Sequence, residues 1–355
     1  MKTWSVVAMV VISIMGSYWY SNFLYHNEPS GNNMVADRSV TNSTTISDDL
    51  VSDPASDIRD VDSAVNSEED ATNNQSNDGL GEEKVTPLDS TIASEIDLST
   101  DRIIAFYGNF YSSNMGILGE YQKTTVETML SEVVDNWNDV DPNRRHVPAI
   151  HYIASTAQSD PMPDGLYTLR MPADQILQAI AMSARIEGVT FLDLQIGQSD
   201  LLTEVKRLER YLLLPTVHLG IDPEFAMQSN DIPGQKIGTI DAEDINSVID
   251  YLEETVVQNN LPPKILVIHR FTKNMITNVH KIKSSDLVNV VINMDGWGSP
   301  GLKFSTYQNV VTADRIQYSG FKIFYKNDLR PPSSRIVSSE EILGLDPQPV
   351  YIQYQ

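Results

Sequence analysis

The amino-acid sequence predicts an α/β protein: a (β/α)8 barrel of the TIM type in residues 101–355, preceded by an N-terminal membrane anchor and a disordered acidic linker. Two observations support the barrel. Short apolar runs alternate with helical patterns from residue 101 to residue 355, which is typical of βα units around a parallel sheet. There are eight such runs, and eight strands in roughly 250 residues match the size of this barrel.

Residues 1–25 form the predicted anchor. Lys2 precedes an apolar run that is close to the lower limit for a membrane span, and aromatic residues such as Trp4 and Tyr20 mark both of its ends. No small-x-small cleavage signature follows, which favours an uncleaved signal anchor over a cleaved signal peptide. With Lys2 on the inner side, the remaining chain is expected on the extracellular face of the cell membrane, or secreted if the segment is cleaved.

Residues 26–100 form the predicted linker, which is rich in Asn, Ser, Thr and acidic residues and poor in apolar ones. Residues 27–100 contain 17 Asp or Glu against three Lys or Arg. Such a segment cannot bury enough apolar surface to offset the entropy lost on ordering. We therefore expect a disordered tether that holds the barrel away from the membrane.

The overall charge and the lack of cysteine exclude several classes of function. The formal net charge is −23, whereas a nucleic-acid-binding surface is basic, so nucleic acid is not expected as a partner. The chain has no cysteine, which excludes disulfides, thiolate metal sites and a cysteine nucleophile. An exported protein of this length without disulfides favours a bacterial origin and a place at the bacterial cell surface.

Each element of the barrel has its own pattern. The predicted strands are residues 103–109, 147–154, 190–197, 217–225, 264–271, 288–295, 318–326 and 349–354. The predicted helices are residues 123–138, 173–187, 201–214, 242–259, 273–283 and 302–313, with a weaker pattern at 338–343. Pro172 suits the first turn of its helix, and Asp241 is a typical N-cap. An open doubly wound sheet is the alternative, but no glycine-rich phosphate-binding fingerprint supports it.

The central feature of the predicted site is Asp222-Pro-Glu224 at the end of the fourth strand. Side chains at positions i and i+2 of an extended strand leave on the same side. Both carboxylates are therefore expected at the C-terminal mouth, where barrels of this type have their active sites. Two acids in one small volume repel each other, which should raise one pKa and suit a general acid at neutral pH. The alternative is that Asp222 only caps the turn around Pro223.

Further polar residues end the neighbouring strands or follow them. Asp193 and Lys322 are charged positions within otherwise apolar runs, and an inward ion pair is the alternative to a direct role for either. The candidate catalytic residues are Glu224, Asp222, Asp295 and Asp193. The candidate substrate-binding residues are Tyr107, His151, Gln195, His269, Trp297 and Lys322. Trp297 is suited to stacking on a sugar ring, and simple rim packing is its alternative role.

The Asp222-x-Glu224 pair resembles the acid pair of chitinase-like and lysozyme-like (β/α)8 glycosidases, in which a strand-four glutamate is the acid and a nearby aspartate supports it. The resemblance covers this short motif and the barrel rhythm, and the longer Asp-rich run of the chitinases is absent before Asp222. Residues 103–355 also resemble a family of exported bacterial barrel proteins of unassigned function. The blocks that carry this likeness are Phe191-Leu-Asp-Leu-Gln195, Asp222-Pro-Glu-Phe225, Pro233-Gly-Gln-Lys-Ile-Gly238 and Met294-Asp-Gly296.

Three functions are compatible with the sequence. The first is a surface-anchored protein, similar to glycoside hydrolases, that acts on or binds a cell-wall or extracellular glycan, with Glu224 as general acid and without a cofactor or metal. The second is a hydrolase that uses a divalent cation, held by an oxygen-rich set of residues with one imidazole. That set is Asp193, Asp222, Glu224, His269 and Asp295. The third is a non-catalytic barrel that binds the wall without cleaving it.

Overall fold

Eight parallel strands form a closed barrel in the computed structural model, which describes residues 96–355. The strands are β1 (Asp101–Gly108), β2 (Arg145–Ala157), β3 (Val189–Leu194), β4 (Val217–Ile221), β5 (Lys264–Arg270), β6 (Val288–Met294), β7 (Tyr318–Ile323) and β8 (Tyr351–Tyr354). They neighbour one another in chain order, and β1 pairs with both β2 and β8, so the sheet closes on itself. The predicted barrel of eight parallel strands with helices between them is confirmed.

Alternate residues of the strands face the inside and the outside of the barrel, so two separate apolar clusters form. The inner cluster includes Phe191 and Val267. The outer cluster, with members such as Leu192 and Ile268, packs against the helices. Leu98, which is 1% exposed, belongs to the inner cluster although it precedes residue 101, where the sequence places the start of the barrel domain.

The helices surround the barrel and cover its outer cluster. They are α1 (Ile117–Glu120), α2 (Lys123–Val140), α3 (Ala173–Arg185), α4 (Leu201–Arg207), α5 (Glu209–Leu212), α6 (Ala242–Asn259), α7 (Pro300–Thr306) and α8 (Ser339–Leu343). α6 has the predicted bounds because both of its ends are capped. The Asp241 side chain accepts a hydrogen bond from Glu243 N–H at the start, and Asn260 adopts the left-handed conformation at the end.

Three predicted helices differ in the structure. The helix expected over 302–313 is an α-helix only as far as the end of α7, after which Tyr307–Val311 is π-helical and Thr312–Asp314 is a 3₁₀ turn. The single helix expected over 201–214 is divided into α4 and α5, which meet at Leu208. The helix expected over 273–283 is wrong: this segment has two 3₁₀ turns and a short strand, Ile276–Thr277, that pairs with Ile240–Asp241. β-branched residues favour the extended backbone there, and the left-handed conformation of Asn278 interrupts any helix.

The predicted anchor at residues 1–25 and the predicted linker up to residue 95 lie outside the described residues. Among the helices of residues 96–355, none is both long enough and apolar enough to cross a membrane.

Candidate functional site

The rows of inward-facing residues change from apolar to polar at the C-terminal mouth of the barrel. In β3, Phe191 is followed two residues later by Asp193, and in β5 Val267 is followed by His269. A step of two residues keeps the side chain on the same face of a strand, so the polar residue continues the inner row. Each of the eight strands contributes to the mouth at least one polar residue that lies on it or directly after it, and in chain order these include Tyr107, His151, Asp193, Asp222, His269, Asp295, Lys322 and Gln353.

Asp193 is fully buried and contacts side chains from three other strands. The hydroxyl of Tyr107 donates a hydrogen bond to Asp193 Oδ2 over 3.0 Å. Near the other oxygen, Oδ1, the Nε2 atoms of His151 and His269 lie at 3.2 and 3.4 Å. Burial by itself raises the pKa of this carboxyl, but His269 and His151 lower it by more, so Asp193 is ionised at neutral pH.

His269 connects Asp193 to a second carboxylate. Its Nδ1 atom lies 2.9 Å from Asp295 Oδ2, and Lys322 Nζ lies 2.8 Å from Asp295 Oδ1. Burial lowers the pKa of His269, but the charges of Asp193 and Asp295 outweigh burial and raise the pKa to about 10. For Asp295, burial raises the pKa, while Lys322 and His269 bring it below its ordinary value. Asp295 is therefore an ionised carboxylate between two cationic groups.

His151 is positioned by two side chains of β8. The Tyr351 hydroxyl lies 2.5 Å from His151 Nδ1, and Gln353 Nε2 lies 3.2 Å from the same atom. The imidazole also stacks on Phe191, with 5.2 Å between the ring centroids. Burial lowers the pKa of His151 to about 4 although Asp193 opposes this shift, so the ring is neutral at pH 7. Nδ1 faces β8, and Nε2 faces Asp193.

Gly220 in β4 makes room for the contact between His151 and Asp193. A Cβ atom at this position would lie 2.3 Å from Asp193 Oδ1 and 2.4 Å from His151 Nε2. Both distances are far below van der Waals contact, so any other residue type would push the two side chains apart. A glycine inside a buried strand often marks such a close approach, and this signal was available in the sequence although the prediction did not include Gly220.

The Asp222–Glu224 pair lies at the end of β4, but it is not part of an extended strand as predicted. β4 ends at Ile221, and Pro223–Phe225 forms a 3₁₀ turn with Asp222 as its N-cap. Asp222 Oδ1 accepts a hydrogen bond from Glu224 N–H over 3.2 Å, so Asp222 also has the capping role considered as its alternative. The expectation from strand alternation is wrong here, because the fixed φ of Pro223 favours a turn directly after the strand.

Both acids hold a proton more tightly than ordinary carboxyls do. Burial raises the pKa of Asp222 to about 7, with His269 opposing the shift and Asp193 adding to it. Burial also raises the pKa of Glu224 well above 4.5, and the charges of Asp222 and Asp295 raise it further. Glu224 is nevertheless only half-buried, so its carboxyl can meet a molecule bound at the mouth. Glu224, whose pKa is raised, therefore lies within electrostatic range of Asp295, whose pKa is lowered.

Gln195 and Trp297 lie beside these acidic groups. Gln195 Nε2 is 3.5 Å from Asp222 Oδ2. Trp297 packs with Phe271 and Leu302 in a small apolar cluster that follows β5 and β6. The predicted site residues that share one connected network are Tyr107, His151, Asp193, His269, Asp295 and Lys322. Asp222, Glu224 and Gln195 form a second group, and Trp297 belongs to the apolar cluster.

Tyr351 is a site residue that the sequence prediction omitted. Its hydroxyl lies within hydrogen-bond distance of both His151 Nδ1 and Gln353 Nε2. Between Val350 and Ile352, Tyr351 has the pattern of an ordinary core aromatic. Its position two residues before Gln353 is the only sequence signal that places it on the inner face.

Three side chains of this network could together hold a metal ion. Within residues 96–355, the ligand atoms of His151, Asp193 and His269 all lie within 4.8 Å of one another. Of the five residues in the divalent-cation hypothesis, this group contains only Asp193 and His269, whereas His151 was predicted as a substrate-binding residue.

No protein-family model matches the sequence, and a search of curated proteins finds no significant match. The fold and the geometry of the mouth are therefore the basis for inferring function.

Proposed function

We propose that the barrel is a hydrolase that cleaves a glycosidic bond in a cell-wall or extracellular glycan, with Glu224 as the general acid. The observation that carries the proposal is a pair of nearby carboxyls whose pKa values are displaced in opposite directions. Burial and the charges of Asp222 and Asp295 raise the pKa of Glu224. Against its own burial, Lys322 and His269 lower the pKa of Asp295. Glycoside hydrolysis needs one protonated and one ionised carboxyl at the scissile bond.

Each carboxyl has a distinct task in this proposal. Glu224 donates its proton to the oxygen of the leaving sugar. Asp295, on the side of Lys322 and His269, acts on the anomeric carbon or on a water molecule. A separation of about 5–5.5 Å between the two carboxyls in the substrate complex would give retention of configuration, and about 6.5–9.5 Å would give inversion. Asp222 shapes the turn through Glu224 N–H and, when ionised, helps to keep the proton on Glu224.

A glycan is supported as the substrate class by the surroundings of the mouth. The apolar cluster of Phe271, Met275 and Trp297 lies after β5 and β6, at the same end of the barrel as the carboxyls. Aromatic faces beside a few fixed polar groups are typical of sites that bind sugars and other organic ligands. The predicted export of the chain would bring the mouth to the glycans outside the cell membrane.

The test is hydrolysis of a panel of glycans by the full-length chain, including peptidoglycan and soluble β-linked oligosaccharides. New reducing ends and the masses of the products are measured. Glu224→Gln keeps the shape of the side chain but cannot donate the carboxyl proton. It should lower kcat about 10²–10⁴-fold while leaving the melting temperature within a few degrees. Glu132→Gln makes the same chemical change at an exposed position of α2 and serves as the matched control.

The outcomes separate the possible roles of Glu224. Full hydrolysis by Glu224→Gln would contradict its assignment as the acid. Retention of a glycan on immobilised wild-type protein, without any cleavage after long incubation, would favour the non-catalytic wall-binding barrel.

A further inference from the structure

We propose that His151, Asp193 and His269 bind a divalent transition-metal ion, with Zn²⁺ as the best match. Two imidazoles and one carboxylate are a ligand set that zinc uses in catalytic sites, where an open position remains for water or substrate. Imidazole ligands favour such metals over Mg²⁺ or Ca²⁺, which prefer oxygen ligands only. The metal site does not depend on the proposed glycoside hydrolysis and can be tested separately.

The distances between the ligand atoms fit one shared ion. His151 Nε2 and His269 Nε2 lie 3.2 and 3.4 Å from Asp193 Oδ1. Zinc bonds of about 2.0–2.1 Å at tetrahedral angles place neighbouring ligand atoms about 3.3 Å apart. Two of the three separations therefore match the edges of such a tetrahedron, and the ligand atoms of the two histidines lie within 4.8 Å of each other.

The directions of these groups are not those of a simple hydrogen-bonded ion pair. His151 Nε2, His269 Nε2 and Asp193 Oδ1 are buried, and none takes part in a properly aligned hydrogen bond. The two nitrogens lie within 3.4 Å of the oxygen, which is close enough for a hydrogen bond. The angle between each N–H bond and the oxygen is therefore what prevents hydrogen bonding. A simple ion pair would aim an N–H group at the oxygen, because leaving buried polar atoms unpaired costs about 1–3 kcal/mol each. Atoms that bind the same metal ion lie close together without being aimed at one another, as these three atoms do.

Asp193 Oδ2 and His151 Nδ1 have hydrogen-bond partners, whereas His269 Nδ1 is close to a carboxylate without an aligned hydrogen bond. Tyr107 OH donates to Asp193 Oδ2, which leaves Oδ1 for the ion. Tyr351 OH is next to His151 Nδ1, and Asp295 Oδ2 lies 2.9 Å from the Nδ1 atom of His269. Metal-binding histidines characteristically have a carboxylate or another polar group next to the nitrogen that does not bind the metal.

The ion would lie between three strands of the barrel, beside a position that has no side chain. The three ligands come from β2, β3 and β5, and Gly220 of β4 leaves room beside two of them.

The test is titration of the full-length, EDTA-treated protein with ZnCl₂ by calorimetry at pH 7.5. Metal content after dialysis is measured by mass spectrometry, and Co²⁺ is added to a parallel sample as an absorbing probe. The wild type should bind one ion per chain, rise in melting temperature and show the visible band of tetrahedral cobalt. Asp193→Asn should weaken binding more than 100-fold, since even the loss of an outer partner costs 10–100-fold. Asp135→Asn, at an exposed position of α2, should bind as the wild type does.

Two results would overturn the site. One is a stripped wild-type protein that takes up neither Zn²⁺ nor Co²⁺. The other is equal affinity in wild type and Asp193→Asn, which would place the ion elsewhere. If Asp193→Asn does not fold, His151→Gln is measured against the same criteria. Glu224→Gln should retain the ion even when hydrolysis is lost, so failure of the metal site and failure of the proposed hydrolysis are distinguishable.

Discussion

Two fully buried ionic groups at the C-terminal end of the barrel differ in how completely their atoms are paired. In the first, Lys303 Nζ lies 2.7 Å from Asp328 Oδ2 and 2.9 Å from the carbonyl oxygen of Gly296. Asp328 accepts two further hydrogen bonds, from Gly298 N–H and Phe324 N–H. Both charged side chains are inaccessible to solvent, and the carboxylate has a donor on each oxygen.

The second group is built around Asp193. Its Oδ1 atom and the Nε2 atoms of His151 and His269 are equally buried but form no aligned hydrogen bond with one another. Gly220 removes the Cβ atom that would otherwise separate Asp193 from His151.

The completeness of pairing distinguishes a structural buried charge from one that is available to a ligand. The Lys303–Asp328 pair ties the loop after β6 to the segment after β7, and its hydrogen bonds offset the cost of burying both charges. Asp193 is equally buried, but its Oδ1 atom has no aligned hydrogen bond that would offset the cost of burial. A fold tolerates such unpaired atoms mainly where a ligand or a reaction uses them.

The largest expected effect is on stability, from Asp328→Asn. It leaves the buried Lys303 charge without its carboxylate and should lower the free energy of unfolding by about 3–5 kcal/mol. The same change at Asp193 should cost less than about 2 kcal/mol in metal-free protein, because His269 keeps its contact with Asp295 and His151 is neutral. Urea denaturation at pH 7 with EDTA measures both variants. Equal losses would remove the distinction between the two groups.

Gly220→Ala should separate His151 from Asp193 and impair the site more than the fold. The new Cβ would lie 2.3 and 2.4 Å from their polar atoms, which should cost about 1–3 kcal/mol of stability. A displacement of two of the proposed ligands should weaken Zn²⁺ binding about 10–100-fold. Gly301→Ala is the control, since a Cβ there meets nothing within 4 Å. If Gly220→Ala matches that control in thermal melting and in calorimetric titration with Zn²⁺, the close contact between His151 and Asp193 has no role in metal binding.

Asp222→Asn should stabilise the protein at high pH. Its folded-state pKa of about 7 lies above the ordinary 3.8, so the folded protein retains a proton that the unfolded chain loses. The contribution of Asp222 to stability is therefore greatest below pH 4 and decreases as the pH rises to 7. Because the shift is about three pKa units, removing the ionisable group should add up to about 4 kcal/mol at pH 8 and nothing at pH 4. Melting temperatures of the variant and the wild type across this pH range measure the effect. If the variant melts below the wild type at pH 8 but not at pH 4, the sign of the prediction is wrong.

Tyr351→Phe should have the smallest effect and act through His151. It removes the hydroxyl next to Nδ1 while keeping the ring, and it should weaken Zn²⁺ binding about tenfold. Tyr354→Phe removes a hydroxyl of the same strand that bonds to Trp137 Nε1 instead, so zinc affinity should not change. Calorimetric titration compares the two. Equal affinities in both variants and the wild type would argue against a positioning role for Tyr351.

The barrel could be predicted because each strand is a short apolar run with a clear boundary, and a strand needs no distant partner to be recognised. The geometry of Asp222 and Glu224 could not be predicted, because it depends on whether the strand continues through Pro223 or the chain turns there. The alignment of His151 with Asp193 depends on register: Asp193 pairs with Ile153 on one side and Gly220 on the other. Single residues on separate strands do not reveal that register. For the same reason, Tyr351 resembles a core aromatic until β8 is placed beside β1.

Glu224 must be protonated at neutral pH to serve as the general acid. Titration of carboxyl-¹³C-labelled glutamate by NMR, with Glu224 assigned from the signal missing in Glu224→Gln, measures its pKa in the intact protein. We expect this carboxyl to be still protonated at pH 7, because burial, Asp222 and Asp295 all raise its pKa. Titration near the ordinary value of 4.5 would contradict the proposed role, since an ionised Glu224 could not serve as the acid.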